Sequence, residues 1–237
     1  MIKMILFDLD GTLLPMDLDI YLKAYFGGIA KKAAPNDTIL QKKVIDGIMV
    51  GTGFMMKNNG ETTNEEAFWT GFHKATENIF AGRESIFDDF YKNEFLTIRD
   101  GCGYNPRMSE LVALVKQLGF RTALATNPVF PLVATQNRIS WAGLKEGDFE
   151  LVTSFETSHY CKPNPNYYVE VAEWLSVSPE ECLMVGNDTT DDRAAEDIGM
   201  QVFLLTDCLI NKKGIDVSKY PSGNLDKLID YIKEIKR

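Results

Sequence analysis

The sequence predicts an α/β protein: a doubly wound parallel sheet interrupted early by a mostly α-helical insert. Three observations carry that reading. Five short apolar runs are spaced along the chain: "MILF" (4–7), "FRTALAT" (120–126), "FELVTS" (149–154), "CLMVG" (182–186) and "QVFLL" (201–205). Strands covered on both faces read as such near-continuous apolar runs. Helix-period segments lie between the last four, and alternating strands and helices build a parallel sheet with right-handed crossovers. The first two runs stand more than 100 residues apart, too far for one crossover loop.

Each element has its own warrant. "MILF" enters directly from the N-terminus. In "NPRMSELVALVKQLG" (105–119), Met108, Leu111, Val112, Val115 and Leu118 fall on one helix face. Asn105 caps its start, Pro106 suits the first turn and Gly119 the end. Further helices fit about 129–140, 164–175, 190–198 and 223–236. "NKKGIDVSKYPSGN" (211–224) reads as a polar surface loop. In the insert, the stretches beginning at Leu18, Thr38, Asn64 and Arg83 each carry helix-like apolar spacing. Its aromatic residues Phe68, Trp69, Phe72, Phe87, Phe90 and Tyr91 are expected to form its own core rather than a ligand surface. The expected division is therefore 1–16 and 100–237 for the sheet domain and 17–99 for the insert.

Composition narrows the function. The chain has 237 residues, 45% hydrophobic and 25% charged, with a formal net charge of -9. Acidic balance argues against non-specific binding to nucleic acid or anionic membranes. It leaves room for an anionic substrate in a local positive site. The four cysteines form no C-x-x-C pair and only two histidines are present, so zinc is not expected. Scattered thiols point to a cytoplasmic protein. The N-terminus has no signal-peptide pattern, and no apolar stretch approaches the roughly 18 to 20 residues of a membrane helix.

Polar groups collect where apolar runs end. Ligands of open α/β sheets bind beyond the carboxyl ends of the strands. Asp8 and Asp10 follow the first run in "LFDLDGTLL". Thr126 and Asn127 end the second, Lys162 lies in "HYCKPNPNYY", and Asn187, Asp188, Asp191 and Asp192 follow the fourth in "GNDTTDD". Gly11 permits a sharp turn and Thr12 can hydrogen-bond within it. Taken alone, Asp10-Gly11 is also an ordinary turn signal, Thr126 a helix N-cap and Lys162 a solvated loop lysine. Cys161 reads as a small packing residue, and His159 as a loop histidine without a catalytic role.

These segments, in this order, resemble the four motifs of the haloacid dehalogenase-like (HAD) superfamily, over about 1–16 and 100–206. The insert stands where that superfamily places a C1 cap. The resemblance implies a Rossmann-like core and Mg²⁺-dependent phosphoryl transfer through an aspartyl-phosphate. Asp8 would be the nucleophile; a carboxylate is ionised at neutral pH and needs no activating base. Asp10 would protonate the leaving alcohol and later deprotonate water, and its carbonyl would bind the metal. Thr126 and Lys162 would hold the phosphate, with Gly11, Thr12 and Asn127 against the substrate.

The metal set would draw on Asp8, Asp10, Asn187, Asp188 and Asp192. Two alignments of the acidic turn remain open, one with Asn187 in the metal position and one with Asp188. In the favoured version Asp188 is the ligand, Asp192 orients Lys162 or a water, and Asp191 faces solvent. The resulting expectation is a phosphatase of a small phosphorylated metabolite, monomeric or homodimeric. A phosphomutase, a 2-haloacid dehalogenase and a non-catalytic binding protein are the alternatives. Asp10 with the acidic turn argues against the dehalogenase, which has no leaving alcohol to protonate.

Overall fold

The computed structural model describes residues 1–236. Its sheet has five parallel strands: β1 (Met4–Phe7), β2 (Arg121–Leu124), β3 (Cys182–Gly186), β4 (Gln201–Leu205) and β5 (Ser222–Gly223), in the order β2-β1-β3-β4-β5. Strand β1 is central to the site. Met4 sits opposite both Arg121 of β2 and Cys182 of β3, so chain order reverses on either side of it. That reversal opens the crevice in which such sheets bind ligands.

Alternation along the strands sends side chains to two separate cores. Ile5, Phe7, Leu183, Val185 and Phe203 pack on one face with helices α5 (Pro106–Gln117), α6 (Leu132–Trp141) and α8 (Leu225–Ile235). Met4, Leu6, Met184, Val202 and Leu204 pack on the other with α7 (Pro165–Trp174). Every residue of β1 is buried, and a fully buried large aliphatic or aromatic side chain contributes about 1.5–3 kcal/mol. The strand that carries the acidic loop is thus firmly held, as is its neighbour β3.

Between β1 and α5 the chain is helical: α1 (Leu18–Ala33), α2 (Thr38–Met56), α3 (Asn64–Ala75) and α4 (Ser85–Lys92), then a short 3-10 turn over Glu94–Thr97. Side-chain oxygens of Asp17, Asp37 and Thr63 cap the first three, and Thr63 with Glu66 forms a capping box. The two connections to the sheet domain run side by side. Met16 and Cys102 form an antiparallel bridge, Asp17 N donates to Gly101 O at 2.8 Å, and Gly103 N donates to Pro15 O at 2.7 Å. A second anchor is the start of α3, where Asn64 N donates to Ser158 O and Glu65 N to Phe155 O, both at 2.8 Å.

Several expectations require correction. The run 149–154 is not a strand. It follows β2 briefly, with Val152 bridging Leu124, and leaves when Phe155 N turns to Phe130 O at 3.1 Å. The fifth strand instead lies inside the expected polar loop, at Ser222–Gly223. The helix expected at 190–198 is a 3-10 helix over Arg193–Ile198, closed by Gly199 at φ +94°. The helix expected from 129 starts at Leu132, after two prolines; the Glu156 carboxylate accepts from its amide at 2.9 and 3.1 Å. The helix from Asn64 stops at Ala75 because Glu77 and Asn78 adopt φ of 52° and 60°.

Candidate active site

The β1 ladder runs on for one residue: Asp8 N donates to Val185 O at 2.9 Å. That bond fixes Asp8 at the mouth of the crevice. The chain then folds on itself through Thr12 N to Leu9 O (3.1 Å) and Gly11 N to Leu14 O (2.8 Å). Gly11 takes φ +83°, and a Cβ there would collide with the Asn187 amide. Only glycine satisfies both demands. The close approach sets the Asn187 side chain beside the acidic loop. The Thr12 hydroxyl lies 3.3 Å from Asp8 Oδ2 and 3.2 Å from Asn187 Oδ1, and its single proton serves one of them at a time.

Lys162 reaches the same point from the loop before α7. It is 1% exposed, and its Nζ donates to Asp8 Oδ1 at 3.0 Å and Asp192 Oδ1 at 2.6 Å. Burial opposes its charge, but the Asp192 and Asp8 carboxylates outweigh burial and hold its pKa well above the ordinary lysine value. Burial acts on Asp8 the other way and pushes its carboxyl up to about 7; Lys162 opposes that rise, and Asp192 and Asp10 add to it. The lysine therefore limits a rise that burial and the neighbouring carboxylates would otherwise carry further.

Asp192 is spoken for on both oxygens. Oδ1 accepts from Lys162, and Oδ2 accepts from Asp188 N at 2.9 Å. These bonds let Asp192 orient Lys162 and the Asp188 turn at once. Asp188 Oδ1 accepts from the amides of Thr190 (2.6 Å) and Asp191 (3.0 Å), which shapes the turn. Asp191 corrects an expectation. It is half-buried, lines the cavity and accepts from Asn127 Nδ2 at 3.3 Å. Burial, helped by Asp188, pushes its carboxyl up to about 6 against the pull of Lys162.

Two residues of the site escape sequence reasoning. Arg138 on α6 is wholly buried and pairs with Asp10 through Nη1 and Oδ2. Its guanidinium also lies 4.4 Å from the Phe130 ring centroid. Burial pushes the Asp10 carboxyl up, opposed first by Arg138 and then by Lys162. The available signal was an arginine on the apolar stripe of a helix, between Ala134 and Trp141. Asn64, also fully buried, donates from Nδ2 to Tyr160 O at 3.1 Å and to Pro128 O at 3.4 Å. It ties the insert to the two loops that carry Lys162 and Thr126.

Asp8, Asp10, Gly11, Thr126, Asn127, Lys162, Asn187, Asp188, Asp191 and Asp192 line one cavity of about 370 Å³. Thr12 stands behind it, bonded to Asp8. His159 does not line it; its Nδ1 meets Glu170 at 2.7 Å. Cys161 is buried, and burial pushes its thiol up to about 12.

The donor set fits a hard cation. Asp8 Oδ2 and Asn187 Oδ1 converge on the Thr12 hydroxyl, and Asp188 adds a second carboxylate at the cavity wall. Among the described residues no group of three or more His, Cys, Asp or Glu forms a ready-made cage. Mg²⁺ does not require one, since it is held by one or two carboxylates, waters and substrate phosphate.

Comparison with known proteins gives the same frame. A phosphoglycolate phosphatase of Vibrio vulnificus is 28% identical over 98% of this chain and 96% of its own. One from Nitrosococcus oceani is 27% identical over 65% of each chain, so that alignment spans just under two thirds of that relative. The crystal structure of a predicted phosphoglycolate phosphatase from Haemophilus somnus superposes with a TM-score of 0.60, at 19% identity over 100% of this chain and 98% of that one. The haloacid dehalogenase-like hydrolase family model matches residues 2–199. With Asp8 and Lys162 meeting at the mouth of a β2-β1-β3 crevice, the chain belongs to the haloacid dehalogenase-like hydrolases.

Proposed function

We propose that the protein hydrolyses phosphoric monoesters of small metabolites through a phosphorylated Asp8. The observation that carries this is Lys162 Nζ, held between Asp8 and Asp192 with almost no exposure. A buried ammonium against a strand-end carboxylate can seat a second anion, the phosphate, against the first. Phosphoryl transfer is mostly positioning and charge neutralisation.

The Asp8 carboxylate attacks phosphorus, and the ester P–O bond breaks. Asp10 gives its proton to the departing alkoxide oxygen, and Arg138 holds it in position. Asp10, now ionised, takes a proton from water as that water attacks the phosphorus on Asp8. Asp8 and inorganic phosphate are released. Lys162, Thr126 and Asn127 hold phosphate oxygens, while Gly11 and Thr12 shape the turn beneath. Mg²⁺, held by Asp8, the Asp10 carbonyl, Asn187 and Asp188, supplies positive charge that reduces repulsion between carboxylate and phosphate.

Residues 17–99 act as a cap on the core of 1–16 and 100–237; support comes from the paired connections at Met16 and Cys102 and from Leu22, which reaches the catalytic cavity. The relatives' activity on phosphoglycolate supports the ester class. The unpaired cysteines support the cytoplasm, with the protein acting as a monomer or homodimer. Phosphate release from a panel of phosphorylated metabolites, with Mg²⁺ and with EDTA, tests the proposal. Turnover should need the cation and vanish in Asp8→Asn. Release that persists in that variant removes the covalent mechanism; isomer without free phosphate makes the protein a mutase.

A further inference from the structure

A second cavity, about 570 Å³, opens between the insert and the sheet domain. It shares Leu22, Val129 and Phe130 with the catalytic cavity, so the two are neighbours across a three-residue wall. Four aromatic residues that the sequence assigns to the insert's own core, Phe68, Trp69, Phe87 and Tyr91, line it. They serve as core and as cavity wall at once. The size suits a small-molecule ligand, and such pockets are mostly apolar with few polar groups.

The charges around it select against one class of ligand. Glu65 and Glu156 are half-buried in the wall, Asp88 and Lys92 stand exposed at its rim. Three carboxylates thus face one ammonium. In the catalytic cavity the lysines are Lys162, already bound by Asp8 and Asp192, and the exposed Lys212. A carboxylate on the leaving group, such as phosphoglycolate carries, would meet net negative charge if it entered the apolar cavity.

The shared wall also lies on the path of the leaving group. Phe130 packs edge-on against Tyr25 of the insert, 5.3 Å between centroids, and over Arg138, which holds Asp10. Phe130 and Leu22, which line both cavities, thus stand on the same cavity as the Asp10 carboxyl that would protonate the leaving oxygen.

We propose that this cavity receives the leaving group of the substrate, and that the group is an apolar alcohol without a carboxylate. The proposal rests on the phosphatase reading and narrows it to a substrate class.

Two measurements test it. The first is kcat/KM for n-alkyl phosphates from ethyl to octyl, beside phosphoglycolate, with Mg²⁺ throughout. The expected rise is about fourfold per methylene over the first several, equivalent to about 0.8 kcal/mol per buried CH₂. Phosphoglycolate should fall below ethyl phosphate. A flat series, or preference for phosphoglycolate, overturns the proposal while leaving the phosphatase intact. The second is calorimetric binding of ethylphosphonate and octylphosphonate, which needs no turnover. Octylphosphonate should bind at least a hundredfold tighter, and Thr52→Trp, which puts an indole into the cavity, should erase most of that ratio. Equal binding of the two phosphonates overturns the cavity assignment. If octylphosphonate shows its advantage and no ester is hydrolysed, the cavity stands and the phosphatase reading falls.

Discussion

Replacing Arg138 with methionine should expose how the acid–base residue is held. The guanidinium pairs with Asp10, donates from Nη2 to Thr135 Oγ1 at 3.2 Å and from Nε to Ala134 O at 3.3 Å, and has no solvent exposure. Methionine keeps most of the packing volume and removes the charge. Asp10, half-buried on the cavity wall, is then left without its counter-ion, and its Oδ1 already lacks a partner. Breaking a fully buried pair costs about 3–5 kcal/mol, and the partial exposure of Asp10 puts this pair at the low end. Asp10 has an escape, because burial already raises its pKa and loss of Arg138 raises it further. It takes up a proton instead of staying charged, which lowers the cost at acid pH.

The loss therefore grows as pH rises. Near pH 7 it should reach about 3 kcal/mol, or about 6 to 12 °C in Tm for a chain of this size. Thermal melts at pH 5, 7 and 8 of Arg138→Met, Asp10→Asn and the double variant measure it. The double variant should recover most of what the single Arg138 change loses, because no uncompensated charge remains. In kinetics, the basic limb of the Arg138→Met kcat profile should move to higher pH. A pH-independent loss, together with a double variant that merely sums the two singles, would refute the claim that the pair acts as a unit.

Asp8→Asn should stabilise the metal-free protein near pH 7.5. The native carboxyl is pushed up to about 7, above its unfolded value, so folded protein holds a proton that unfolded chain releases. Native stability then falls as pH rises from about 4 to 7, and a denaturant titration should show the variant with a flatter slope. Asn187→Asp adds a charged oxygen beside Asp8. It should tighten Mg²⁺ binding about tenfold by calorimetry, the scale of changes around metal ligands; unchanged affinity would remove Asn187 from the metal set. Gly11→Ala meets both a left-handed φ and the Asn187 amide. It should lower kcat about a hundredfold and Tm by a few degrees, and a variant with wild-type kcat would show that the turn tolerates displacement.

The sequence discloses what is locally determined. Asn105, Pro106 and Gly119 mark α5, and in the structure Asn105 caps it at 3.1 Å from Arg107 N while Gly119 turns at φ +82°. The apolar runs of β1, β3 and β4 are legible because both faces are buried. Two residues at Ser222 and Gly223 have no periodicity to read. The run at 149–154 looks like a strand, yet its pairing ends where Phe155 turns to Phe130. Asp191 was misplaced because its partner Asn127 is 64 residues away. Arg138 was missed because its partner Asp10 is 128 residues away. Charge at a helix position is visible in sequence, whereas the group it meets is fixed only by the fold.

The central position of β1 has a consequence for biosynthesis. Its nearest ladder partner, Arg121, lies 117 positions beyond Met4, and its other partner, Cys182, lies further still. At ribosomal rates of about 5–20 residues per second, the strand bearing Asp8 waits roughly 6 to 23 seconds before the first of its neighbours exists. During that interval "MILF" is an apolar segment without its strand partners. The insert is translated in the meantime. Its early folding would draw Met16 and Cys102 together and shorten the search by which the oldest strand finds the younger ones.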